Sequence, residues 1–79
     1  MNIKILGTGC SKCIALEKKV REIVEDNSIN AEIEKVTDLQ KIMSYGILMT
    51  PGLIINEKVK SFGSIPKESQ ILDWLKEAN

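Results

Sequence analysis

Near the start of the chain the hydrophobic pattern changes period abruptly, and the change falls on a pair of cysteines. Ile3-Lys4-Ile5-Leu6 is a short apolar run of the kind that forms a buried strand. From Ser11 to about Asn27 the apolar residues Cys13, Leu16, Val20, Ile23 and Val24 recur instead every three or four positions, with Lys18, Lys19, Arg21, Glu22 and Glu25 opposite. That spacing is an amphipathic helix. Between the two, Gly7-Thr8-Gly9 lets the backbone turn closely, and Cys10-Ser11-Lys12-Cys13 opens the helix. A thiol placed there stands at the positive end of a helix, where its thiolate is favoured and exposed.

The remaining chain continues the alternation. Asn27 and Ser28 break the helical pattern, Ile29 to Val36 reads as a second strand, and Thr37 with Gln40 matches a capping box opening a short helix with Leu39, Ile42 and Met43. Gly46 would end that helix. After Pro51, Leu53-Ile54-Ile55 is a strand, Asn56-Glu57-Lys58 a hairpin turn, and Val59 to Phe62 the returning strand. Pro66 lies near the start of a last helix whose Ile71, Trp74, Leu75 and Ala78 form one stripe. The order β-α-β-α-β-β-α predicts an α/β fold. Strands joined through helices call for parallel pairing and the late hairpin adds an antiparallel strand, giving a four-stranded mixed sheet with helices on both faces. Trp74, Met43 and Met49 read most simply as core or core-rim residues.

Composition narrows the function. A length of 79 residues predicts one domain over residues 1–79, and 43% apolar residues with only two prolines predict a compact one. Eleven basic and eleven acidic side chains cancel, and no basic block or aromatic run appears, so nucleic acid is not an expected partner. The longest apolar run, Gly46 to Ile55, is too short for a bilayer and is broken by Thr50-Pro51-Gly52. Asn2 and Lys4 interrupt any leader-like apolar stretch. The expected setting is therefore the cytoplasm, with a monomer bound to no membrane. There a C-x-x-C is more often catalytic or metal-binding than structural.

Residues three apart on a helix are neighbours at roughly 5 to 6 Å, inside the Cα separation a disulfide tolerates. Cys10 and Cys13 can thus bridge reversibly. At the helix entrance Cys10 is the expected attacking thiolate, while Cys13, which begins the apolar stripe, resolves the mixed disulfide. With a pKa of about 8.5 only ~3% of a thiol is ionised at neutral pH, against about half at a pKa near 7. The helix dipole supplies ~0.3 to 1 kcal/mol at an exposed site, less than one pKa unit. N–H groups of the first helical turn and the Cys13 thiol must therefore add to it, with Lys12 as a solvent-screened helper.

With these residues in place the chain resembles the thioredoxin superfamily, and within it the small prokaryotic thioredoxin-like proteins lacking the extra N-terminal strand and helix. The marks are Gly7-Thr8-Gly9-Cys10-Ser11-Lys12-Cys13 after the first strand, Thr50-Pro51 before the third, and Gly63 after the fourth. The resemblance implies a thioredoxin-like fold and a thiol–disulfide oxidoreductase whose redox group is the Cys10/Cys13 couple, with no added cofactor and no metal. Its partners would be a disulfide-containing protein substrate and a reductase that the sequence leaves open. It further implies that Pro51 is cis and lies against the cysteines. Thr50 would offer backbone groups to an incoming peptide, and Gly9, Ser11, Lys12 and Gly63 would support the site. Departures are also visible. No tryptophan precedes Cys10, no proline separates the cysteines, and Lys4 falls where thioredoxins bury an aspartate. The loop after Gly63 lacks the second glycine and the acid with which glutaredoxins hold glutathione.

Other readings of the same residues stay open at this point. A structural disulfide closing so small a ring gains only ~2 kcal/mol by loop entropy, against ~4.7 for a hundred-residue loop. Tetrahedral zinc or an iron–sulfur cluster asks for four ligands, which two cysteines and no histidine do not supply. Two thiolates can hold Cu(I) or Hg(II), and heavy-metal-associated domains also place a C-x-x-C after a first strand. Those domains, however, run β-α-β-β-α-β and usually carry a methionine where this chain has Thr8. Pro51 could be a plain loop proline, and the fold could serve only as a binding module.

Overall fold

The computed structural model describes residues 1–78. Along the chain run β1 (Asn2–Leu6), α1 (Ser11–Asp26), β2 (Glu32–Val36), α2 (Leu39–Ser44), β3 (Gly52–Ile55), β4 (Lys58–Phe62) and α3 (Glu68–Glu77). One four-stranded sheet has the order β2-β1-β3-β4. β1 pairs parallel with β2 and antiparallel with β3, and β3 pairs antiparallel with β4. The mixed sheet of the sequence reading is present.

Its strand directions correct one part of that reading, because the connection through α2 does not give a parallel strand. α1 has 16 residues, a rise of ~24 Å, enough to carry the chain back along a five-residue strand of ~17 Å. α2 has six residues and rises only ~9 Å. The chain therefore leaves α2 near the end at which it entered, and β3 starts there and runs the other way.

Strand alternation sends side chains to two cores. Ile3, Ile5, Leu53 and Ile55 face Leu16, Val20 and Ile23 of α1 and Ile71 and Leu75 of α3. On the other face Leu6 and Ile54 meet Val36, Ile42 and Ile47, with Tyr45 at the margin. Helices thus cover both faces, and β3 is buried along its whole length. Gly52 gives its space to the tip of the Ile47 side chain, which a Cβ there would displace. Trp74 packs partly buried against the first core. Met43 and Met49, read as core or rim, are instead 58% and 60% exposed, because only Ile42 of α2 reaches the sheet and Ile47, not Met49, packs inward from the loop after it.

Several boundaries shift for local reasons. The second strand begins at Glu32 rather than Ile29, because Ile29 finishes α1: its N–H donates to Val24 O at 2.9 Å and the Ser28 N–H to Glu25 O at 3.2 Å, with Ser28 at φ 52°. This is a Schellman closure built on serine. Asp38, not Thr37, caps α2, its Oδ1 accepting from the Gln40 N–H at 2.9 Å. The hairpin turn is the two residues Asn56 and Glu57, at φ 50° and 67°, and Lys58 already belongs to β4 opposite Ile55. Positive φ at both positions is the type I′ geometry that matches strand twist.

Glu57 has no intrinsic ease in that conformation, and its carboxylate is tied down. Its Oε1 accepts from Lys4 Nζ at 2.6 Å and its Oε2 from the Tyr45 hydroxyl at 2.9 Å, while Lys4 also donates to the Tyr45 oxygen at 2.9 Å. Lys4 and then Tyr45 hold the Glu57 carboxyl below its ordinary 4.5, and Glu57 and then Tyr45 raise the Lys4 ammonium above its ordinary 10.5. A depressed carboxyl stabilises the fold above its unfolded value and loses that contribution as pH falls through the folded one; a raised amine stabilises below its unfolded value and loses it on the alkaline side. Glu57→Gln is therefore expected to lower the melting temperature near pH 7, with the gap to the native chain closing in acid below the carboxylate range. A gap that persists there in thermal melts would assign the effect to the turn rather than to the charge. In the core, Leu16→Ala is expected to cost ~2 to 5 kcal/mol by denaturant titration, a large share of the stability of so small a domain.

Candidate active site

β1 delivers the chain to the site already paired. The Gly7 N–H donates to Val36 O at 2.9 Å, extending the β1–β2 ladder by one residue beyond Leu6. Gly9, at φ +90° in open space, then turns the chain into α1. Cys10 is the N-cap, with extended φ −68° and ψ 164°. Its carbonyl accepts the first helical bond, from the Ile14 N–H at 3.0 Å, and its Sγ accepts from the Cys13 N–H at 3.1 Å. The sulfur thus takes the place that a serine or aspartate oxygen takes at most helix starts.

The cysteines differ sharply in exposure. Cys10 is exposed, whereas Cys13 is 3% exposed and heads the buried stripe continued by Leu16, Val20 and Ile23. A disulfide joins them across a Cα separation of 5.0 Å. Reduced, Cys10 would keep its backbone donor at the positive helix end, which favours its thiolate. No acidic side chain lies in the first turn of α1 to oppose that charge. Ser11 and Lys12 are exposed.

The Thr50-Pro51 loop comes to the same place. The peptide bond between these residues is cis, Pro51 is buried and Thr50 half-buried. A Cβ placed on Gly7 would lie 2.9 Å from Cys13 Cβ and 3.9 Å from Thr50 Cβ, so Gly7 sits between the second cysteine and Thr50. Pro51 O accepts from the Gly63 N–H at 2.9 Å, and Gly63, at φ +80°, leaves room for the Met49 side chain at 3.2 to 3.5 Å from where its Cβ would be. Cys10, Cys13, Thr50, Pro51, Gly9 and Gly63 therefore gather at one end of the sheet. Next to them in the chain are exposed apolar residues: Ile14 after Cys13, Leu48 and Met49 before Thr50, and Phe62 before Gly63.

Lys4 does not join the site. It shares the sheet face of Leu6, opposite to that of Ile3 and Ile5, which pack on α1, and its amine is spent on Glu57 and Tyr45. A lone cation inside an apolar strand was the signal that such partners were needed. The sequence marks Gly7 only as a loop glycine; the one hint of its contact with Cys13 is the spacing Gly-x-Gly, since one glycine suffices for the turn.

A family model described as a thioredoxin domain matches residues 1–76. The chain is 38% identical over 71 residues to a thioredoxin of Methanothermobacter thermautotrophicus, covering 90% of this chain and 92% of that protein. It is 39% identical over 74 residues to a thioredoxin of Methanocaldococcus jannaschii, covering 94% of this chain and 85% of the relative. A second thioredoxin of that organism is 31% identical over 65 residues, covering 78% and 76%. Matched over nearly its whole length, with its two cysteines bonded at the start of the first helix, the chain belongs to the thioredoxin family.

Proposed function

We propose that this protein is a thiol–disulfide oxidoreductase that reduces or exchanges disulfides of other proteins through its Cys10/Cys13 couple. The observation that carries the reading is the asymmetry of the bonded pair, one sulfur exposed and capping a helix, the other buried. In the reduced protein the Cys10 thiolate attacks one sulfur of a substrate disulfide. A Cys10–substrate bond forms, the substrate S–S bond breaks, and the displaced thiolate takes a proton. Cys13 then gives up its proton and attacks Cys10 Sγ, forming the intramolecular disulfide and releasing the second substrate thiol. Two electrons and two protons have passed to the substrate, and a reductase returns them. With Lys4 turned to Glu57 and Tyr45, the Cys13 proton goes to water or to the departing substrate thiolate.

Substrate positioning is assigned to Thr50 and Pro51. Pro51 has no N–H to face the thiols, and the Thr50 backbone, outside any helix or strand, is free to pair with an extended peptide. Gly9, Ser11, Lys12 and Gly63 shape the approach. No described helix is long and apolar enough to cross a membrane, and the reading places a monomer in a reducing, cytoplasmic setting. A carrier of Cu(I) or Hg(II) is disfavoured by the element order, in which a helix, α2, stands between β2 and the β3–β4 hairpin.

Alkylation followed by mass measurement is expected to add two labels after reduction and none after mild oxidation. Cys13→Ser is expected to trap a mixed disulfide with a model substrate while Cys10→Ser does not; the reverse pattern would exchange the two roles. Pro51→Ala, which puts a backbone donor beside the sulfurs, is expected to slow reduction of a protein disulfide about tenfold or more, with less effect on a small aromatic disulfide. Equal slowing of both substrates would remove Thr50 and Pro51 from substrate positioning.

A further inference from the structure

The two glycines between β1 and α1 are glycine for different reasons. Gly9 stands at φ +90° with open space where a side chain would go. Gly7 is outside the left-handed region, so its backbone would accept other residues. What it lacks is room. A Cβ there would overlap Cys13 Sγ and lie 2.9 Å from Cys13 Cβ. Nor is the backbone free to retreat, because the Gly7 N–H is held by Val36 O at 2.9 Å and the residue is buried.

We infer that Gly7 is a positioning residue for Cys13: its bare Cα is the seat of the Cys13 sulfur in the disulfide, and any side chain at this position competes with that sulfur for the same volume. The inference rests on the reading of Cys10 and Cys13 as a redox couple. Its consequence differs between the two redox states. In the disulfide, Cys13 Sγ is bonded to Cys10 Sγ and cannot rotate away. In the dithiol that bond is gone, and Cys13 χ1 can move to another staggered well. A methyl group at position 7 therefore penalises the oxidised form more than the reduced one. The couple exchanges two electrons and two protons with a dithiol reagent, so a penalty on the disulfide makes the protein easier to reduce. Overpacking a rigid site is enough to move such an equilibrium by about tenfold, which is ~30 mV for a two-electron couple.

The test titrates the native protein and Gly7→Ala against mixtures of reduced and oxidised dithiothreitol, counting alkylated thiols, and melts each protein in both redox states. Gly7→Ala is expected to shift the midpoint toward easier reduction by about tenfold and to lower the melting temperature of the oxidised form more than that of the reduced form. An unshifted midpoint with equal losses in both forms overturns the inference. A native protein that shows no thiol–disulfide midpoint at all defeats instead the oxidoreductase reading beneath it. A second pair of variants covers the case in which oxidised Gly7→Ala does not fold. Cys13→Gly removes both atoms that the methyl would meet, and in that background, under reductant, Gly7→Ala is expected to leave the melting temperature unchanged. A loss equal to that seen in the reduced native background overturns the assignment.

Discussion

The burial of one face of α1 against β1 is the interaction on which the rest of this structure depends. Leu16, Val20 and Ile23 are fully buried against Ile3 and Ile5, and these contacts fix both the direction of the helix and the point at which it starts. Because β1 lies between β2 and β3, that starting point is held by the middle of the sheet rather than by an edge. The chemistry follows from the register of the stripe. Cys13 is its first member and is therefore buried, and Cys10, one turn earlier, is left outside as the cap. The same packing that stabilises the fold leaves one cysteine exposed and buries the other.

Electrostatics at the site are supplied almost wholly by backbone. The Cys13 N–H points at Cys10 Sγ, no acid lies in the first helical turn, and no polar or charged residue is buried among the described residues. The one charge in β1, Lys4, is neutralised by Glu57 on the opposite sheet face, where it secures a strained turn. Fixed N–H dipoles need no counter-ion and do not titrate. A thiolate favoured by them keeps its stabilisation over the whole range in which the helix is folded.

Much of this was legible from the residues. The change of hydrophobic period between Leu6 and Ser11 gave β1, α1 and the position of the cysteines, because burial of one face leaves a mark at every third or fourth residue. The apolar runs of β3 and α3 were visible for the same reason. What escaped depended on competition between neighbours. Thr37 and Asp38 are both good caps, and only the geometry of the entering strand chooses Asp38. Ile29 looks like the first residue of a strand, yet its N–H is taken by Val24 O once Ser28 adopts a left-handed conformation. Met43 and Met49 fit a core by composition; Met43 is exposed because a single residue of so short a helix reaches the sheet, and Met49 because in the following loop Ile47 takes the inward place. The contact of Gly7 with Cys13 joins the loop after β1 to α1, and beyond the second glycine of Gly-x-Gly no pattern reports it.

The shortness of α2 explains why the second half of the site exists at all. Had the helix after β2 been as long as α1, the chain would have returned to the far end of the sheet, and β3 would have entered parallel to β1 with Pro51 remote from the cysteines. Six helical residues leave the chain at the end of the sheet where β1 delivers Cys10. Ile47 then anchors the loop by filling the space above Gly52, and the Gly63 N–H holds Pro51 O from the β4 side. Leu48, Met49 and Thr50 lie between these two anchors, and of the three Thr50 is the one half-buried. Its approach to Gly7, and through Gly7 to Cys13, is a consequence of chain length and of two glycines that make room, so the topology alone sets the Thr50-Pro51 loop beside the cysteine pair.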